Sequence, residues 1–93
     1  MDTQKSSLTA DSNALKSLHR QKVVVGAKQL RKALDKGTAR QVYLASNADP
    51  ALTQTLEALC QHHGVGYIWV RSMTDLGRAC GIEVGATTAA VVD

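Results

Sequence analysis

Short apolar runs alternate with helix-spaced segments along the chain, and this alternation restricts the fold more than any other feature. The runs at residues 22–25, 41–45, 67–70 and 87–92 are rich in Val, Ala and aromatic side chains. Each is too short for a helix and suits a strand buried on both faces. Between them the apolar residues change to a spacing of three and four. Ala27, Leu30, Ala33 and Leu34 form one such stripe, with Gly37 as its stop. Leu52, Leu56, Leu59 and Cys60 form a second, opened by Asp49 as N-cap and Pro50 at the first helical position. Ser72 and Asp75 resemble a capping box and open a third, short helix that stops near Cys80-Gly81. Asp11 or Ser12 caps a further short helix over residues 13–20, with Leu15 and Leu18 on its inner face. The predicted class is α/β: a three-layer α/β/α sandwich around a mixed sheet of about four strands.

Ninety-three residues, 44% of them hydrophobic, supply one core and leave little room for a second. Residues 1–11, rich in Ser, Thr and Asp, read as a flexible arm, and residues 12–93 as a single domain. No apolar run approaches the ~18 residues that would span a bilayer. The first twelve residues lack the apolar stretch of a secretory signal. Cys60 and Cys80 are too few for a disulfide framework. A soluble cytoplasmic domain with no membrane partner is expected.

Charge is segregated along the chain. Lys16, Arg20, Lys22, Lys28, Arg31, Lys32, Lys36 and Arg40 are opposed between positions 16 and 40 by Asp35 alone, a net +7, while the remainder carries −4. Such a field fits a polyanionic partner or, more plainly, a solvated helix face. The aromatics limit the manner of recognition. Tyr43, Tyr67 and Trp69 are the whole complement, whereas domains that stack bases need several exposed rings. Tyr67 and Trp69 fall on one side of a strand, where packing against a helix is expected of at least part of the pair. Recognition of backbone shape and groove edges by a basic helix end fits better.

Residues 24–34, Val-Val-Gly-Ala-Lys-Gln-Leu-Arg-Lys-Ala-Leu, closing at Lys36-Gly37, resemble the signature helix of the ribosomal kink-turn RNA-binding superfamily, the L-seven-Ae and L-thirty-e group. Three further blocks agree in order and spacing: Ala45-Ser46-Asn47-Ala48-Asp49-Pro50, then Leu76-Gly77-Arg78-Ala79-Cys80-Gly81-Ile82, then the strand at 87–92. The similarity covers residues 13–92 and is closest to the small bacterial members. It implies a three-layer α/β/α fold that binds kink-turns, duplexes bent sharply at a bulge beside tandem sheared G·A pairs. It also implies two contact elements: the start of the helix at 26–36, which enters the widened groove, and the loop at 81–84, which covers bulged nucleotides.

The chemistry of these residues agrees. A helix N-terminus offers free amides and a positive dipole end to phosphate. Gly26 lets the backbone beside Ala27 approach closely, or simply relaxes a strand-to-helix turn. Lys28 and Lys32 can donate to guanine O6 and N7 or to phosphates, Arg31 can pin a strand, and Gln29 can read a base edge. In the loop of Gly81, Ile82, Glu83 and Val84, the Ile and Val offer apolar surface to an unstacked base, or else pack into the core. Arg78 is a supporting contact or an exposed helix charge. Archaeal and eukaryotic relatives usually carry Asn-Glu where this chain has Lys28-Gln29. The exchange removes a strong acceptor and adds a cation, which implies binding that leans on charge and shape with a steep salt dependence.

Catalysis finds no support in the sequence. Cys60 and His62 splay about 200° apart on a helix, and no second ligand pair completes a tetrahedral site. Cys80 precedes a helix end whose dipole raises a thiol pKa. Neither G-x-G-x-x-G nor G-x-x-x-x-G-K occurs, and no Ser/His/Asp arrangement is discernible. The expectation is a non-enzymatic, monomeric protein without cofactor, metal or small-molecule substrate, holding kink-turn RNA in the ribosome or in another structured RNA. A protein-interaction adaptor on the same fold is the alternative.

Overall fold

The computed structural model describes Leu15 and residues 18–93; the arm at 1–11 and most of the helix expected over 13–20 lie outside the described residues. Four strands, β1 (Val23–Val25), β2 (Ala39–Ala45), β3 (Tyr67–Val70) and β4 (Thr88–Val92), form one sheet in the order β1-β4-β2-β3. β2 and β3 are parallel, and β4 runs antiparallel to both β1 and β2. Helices α1 (Ala27–Lys36) and α2 (Pro50–His63) and the shorter α3 (Met73–Ala79) connect them. The architecture is the mixed four-stranded α/β arrangement that the alternation predicts. β2 starts two residues before the apolar run, because Ala39 pairs with Val92 across a register shift.

Alternation of side chains along each strand sorts the core into two layers. Val24, Val42, Leu44, Tyr67, Trp69, Ala90 and Val92 face α1 and α2, meeting Leu30, Ala33, Leu34, Leu56 and Cys60. Val23, Val25, Tyr43, Ala45, Ile68, Val70, Ala89 and Val91 face the other way, meeting Leu76 of α3 and also Leu15 and Leu18. Leu18, in a 3-10 turn at Leu18–Arg20, is fully buried, as are Leu30, Leu44, Leu56 and Leu76. Truncating any of them to Ala removes about 2–5 kcal/mol. β4 is buried along its whole length because it lies between two strands and beneath both layers.

Sequence punctuation sets the helix ends. The Asp49 carboxylate accepts from the Ala51 amide at 3.0 Å with Pro50 behind it, and the Ser72 hydroxyl accepts from the Asp75 amide at 3.0 Å. Gly37 and Gly64 close α1 and α2 in the left-handed conformation. Tyr67 and Trp69 meet edge to face, with ring centroids 6.4 Å apart. The Tyr67 hydroxyl donates to Glu57 at 2.8 Å and accepts from Gln61 at 3.1 Å, which holds this pair against α2.

The topology brings one set of chain ends together. The last residues of β1, β2 and β3 and the first residue of β4 lie at the same end of the sheet. The N-termini of α1, α2 and α3 and the 80–87 segment therefore gather there, the edge where open α/β sheets offer a crevice. Thr88 ties them. Its carbonyl accepts from the Gly26 amide at 2.9 Å, and its buried hydroxyl donates to the Tyr43 carbonyl at 2.7 Å.

Two outcomes follow from this packing. Gly26 has φ 99° and ψ 155°, a region open only to glycine. Gly26→Ala should lower the free energy of urea unfolding by roughly 1–3 kcal/mol. Burial first, and the Glu57 carboxylate second, push the Cys60 thiol up from 9.0 to about 11. The native chain then keeps this proton at a pH where the unfolded chain has lost it. Its contribution to stability is complete below pH 9.0 and is lost as pH rises through about 11. Urea titrations should show wild-type stability falling relative to Cys60→Val over that window.

Candidate nucleic-acid interface

At the end of β1 the chain turns through Gly26 into α1, and no side chain among the described residues caps the new helix. The amides of Ala27, Lys28 and Gln29 lie in the first turn, before the i→i−4 ladder begins with the Leu30 amide on the Gly26 carbonyl at 3.0 Å. A Cβ at Gly26 would meet nothing within 4 Å, so glycine is required there by backbone conformation while the space beside it is open. Both roles read from the sequence for Gly26 are compatible with this turn. Ala27 is half-buried against the sheet, and Lys28 and Gln29 are exposed. The tip thus presents first-turn backbone amides with no side-chain cap among the described residues, the positive end of a ten-residue helix dipole, and a lysine.

The rest of α1 divides its cations by face. Leu30, Ala33 and Leu34 point inward, so Lys28 and Lys32, one turn apart, share the opposite, solvent-facing side. Arg31 lies between these faces, lining a groove toward α2 with Leu34, Asp35, Thr55, Leu59 and His63. In that groove His63 Nε2 stands 4.0 Å from Asp35 Oδ1. Lys36 closes α1 about 12 Å along the axis from Lys28.

The second element lies on α3. The helix ends at Cys80, and Gly81 takes φ 81°, which turns the chain back. Ile82 and Val84, alike in sequence, part company here. Ile82 packs half-buried on the α3-side core, whereas Val84 is 69% exposed, the one large hydrophobic so placed among the described residues. Glu83 between them is exposed, as is Arg78 in the last turn of α3. The loop follows α3 closely: the Ile82 amide donates to the Gly77 carbonyl at 3.0 Å and the Ala86 amide to the Met73 carbonyl at 3.0 Å.

Other basic residues of the charged window are carried away from this end. Lys22 and Arg40 flank the opposite edge, where Val92 donates to the Lys22 carbonyl, and Arg40 pairs with Asp93 at 2.9 Å. Cys60 lies in the core while His62 and His63 are exposed, so the three do not converge. The Cys80 thiol is raised by burial. No group of three His, Cys, Asp or Glu suited to a metal occurs among the described residues. None of their helices is long and apolar enough to cross a membrane.

Two residues of the resemblance blocks, Gly77 and Asn47, take structural roles at this end that the sequence does not assign. Gly77 is buried inside a helix against the Val84 carbonyl, and a helical glycine that costs ~1 kcal/mol relative to Ala is the signal that marks such a contact. Asn47 accepts from the Met73 amide at 2.8 Å through Oδ1, bridging the β2–α2 loop to α3. Nothing in the sequence identifies that partner.

Known proteins share this frame. The family model for the ribosomal protein L7Ae/L30e/S12e/Gadd45 family matches residues 9–93. An RNA-binding protein of Bacillus pumilus is 44% identical over 72 residues, covering 77% of this chain and 88% of its own. One from Caldanaerobacter subterraneus is 42% identical over 71 residues, covering 76% and 87%. Among solved structures, a 15.5-kD RNA-binding protein of Giardia lamblia superposes with a TM-score of 0.80 at 27% identity, over 100% of this chain and 84% of that one. A Bacillus halodurans protein of unknown function gives 0.74 at 27% identity, over 85% and 80%. With its family match extending over nearly every residue and its four-stranded frame shared by these structures, the chain belongs to the ribosomal protein L7Ae/L30e/S12e/Gadd45 family.

Proposed function

We propose that this protein binds RNA, and specifically kink-turn RNA, without catalysis. The observation that carries this reading is the pairing of two surfaces at one end of the sheet: the uncapped, lysine-bearing tip of α1 and the exposed Val84 loop. RNA-binding relatives in Bacillus and Caldanaerobacter and the Giardia 15.5-kD protein support the nucleic-acid partner. The free amides and Lys28 take phosphate in the widened groove, Gln29 meets a base edge, and Lys32 holds the backbone one turn further on. Arg31 lies toward α2 and takes phosphate from the flank. Val84 covers an unstacked base, while Ile82 anchors the loop beneath it. Arg78, Gly81 and Glu83 border this second contact.

The mechanism is a population shift. RNA alternates between extended and kinked forms, and a protein whose contacts match the kinked form favours it by its differential affinity for the two. No covalent chemistry is involved, and the protein acts as a cytoplasmic monomer on the ribosome or on another structured RNA.

Titration of a kink-turn RNA, beside the same RNA with its G·A pairs replaced by Watson–Crick pairs, tests the reading. At moderate salt the kinked form should bind at least about tenfold more tightly, near 1.4 kcal/mol. Equal, weak binding to both would leave only nonspecific electrostatics. Lys32→Ala should weaken binding and reduce the slope of log K against log salt by about one, with Lys28→Ala behaving alike.

A further inference from the structure

The Val84 loop is shaped from beneath by residues of α3. Gly77 is buried within α3, and a Cβ there would collide with the Val84 carbonyl oxygen and come within 3.1 Å of Gly85 Cα. Gly85 is pressed on the same helix, where its own Cβ would lie 3.1 Å from Met73 Cβ. With the Val84 carbonyl turned down onto α3 and Ile82 anchored in the core, the Val84 side chain stays at the surface. α3 is held in turn by Asn47, whose side-chain oxygen takes the Met73 amide, while the Ser46 hydroxyl donates to the Arg71 carbonyl at 2.9 Å just before it. The α1 tip is fixed independently, through Gly26 and Thr88.

We infer that Gly77 and Asn47 are positioning residues that set the discrimination between kinked and straight RNA, by fixing the height and direction of Val84 relative to the α1 tip. This rests on the kink-turn reading above. It extends that reading by dividing the labour: α1 supplies the phosphate and groove contacts, and the α3-supported loop adds further preference for the kinked form. A Cβ at position 77 has no flexible side chain to displace, only loop backbone, so the loop must lift. A contact surface needs placement within about 0.5 Å to keep its selectivity.

The test is the ratio of affinities for the kink-turn RNA and its Watson–Crick counterpart, measured with wild type, Gly77→Ala, Val84→Ala and the double variant. Gly77→Ala should lower the ratio by roughly tenfold and leave affinity for the straight duplex unchanged. The double variant should lose no more than the larger single loss, because Gly77 acts through Val84. If Gly77→Ala does not fold, the exposed Asn47 decides. Asn47→Ala should lower the ratio, and Asn47→Asp, which keeps the acceptor oxygen, should restore it. A folded variant that retains the wild-type ratio, or weakens both RNAs equally, overturns the inference while the kink-turn reading stands. A wild type that does not distinguish the two RNAs overturns both.

Discussion

Thr88 is the point on which the candidate binding end depends. It opens the central strand, where its backbone faces β1 on one side and β2 on the other. Its carbonyl holds the amide of Gly26, and its hydroxyl, wholly buried, is satisfied by the Tyr43 carbonyl. A buried hydroxyl without a partner costs about 1–3 kcal/mol, so this bond is strongly specified. Through these two bonds the turn into α1 and the end of β2 are both tied to the start of β4. The α1 tip and an apolar loop, more than fifty residues apart in sequence, come to the same end of the sheet.

The electrostatics are sorted by the same frame. Read linearly, residues 16–40 are one basic block. Folding sends Lys22 and Arg40 to the far edge of the sheet and turns Arg31 toward α2, leaving Lys28 and Lys32 on the open side of α1. The exposed Arg40–Asp93 pair is a surface contact that contributes little to stability. The local field at the α1 tip therefore owes more to two lysines and a helix dipole than to the net charge of the chain.

Periodicity and caps made most of the architecture legible beforehand. The stripe of Leu30, Ala33 and Leu34, the Asp49-Pro50 start and the Ser72 cap act over a few residues, so their signals survive in one dimension. The strand run at 67–70 has its predicted limits for the same reason. Ile82 and Val84 were ambiguous, since both are β-branched residues in one loop and only the surface of α3 decides which of them has a core to enter. Gly77 packs against the Val84 carbonyl, a contact that depends on how the following loop folds back over α3.

The sequence by itself determined the order and type of elements, the two-sided burial of the strands and the lysines of the α1 tip. These follow from side-chain spacing and from caps that satisfy local backbone groups. Tertiary structure alone decided that the tip and the Val84 loop share an end, which cations remain there, and that Thr88, Asn47 and Gly77 hold them. Those facts depend on strand order and on contacts between residues distant in the chain, which no local pattern encodes.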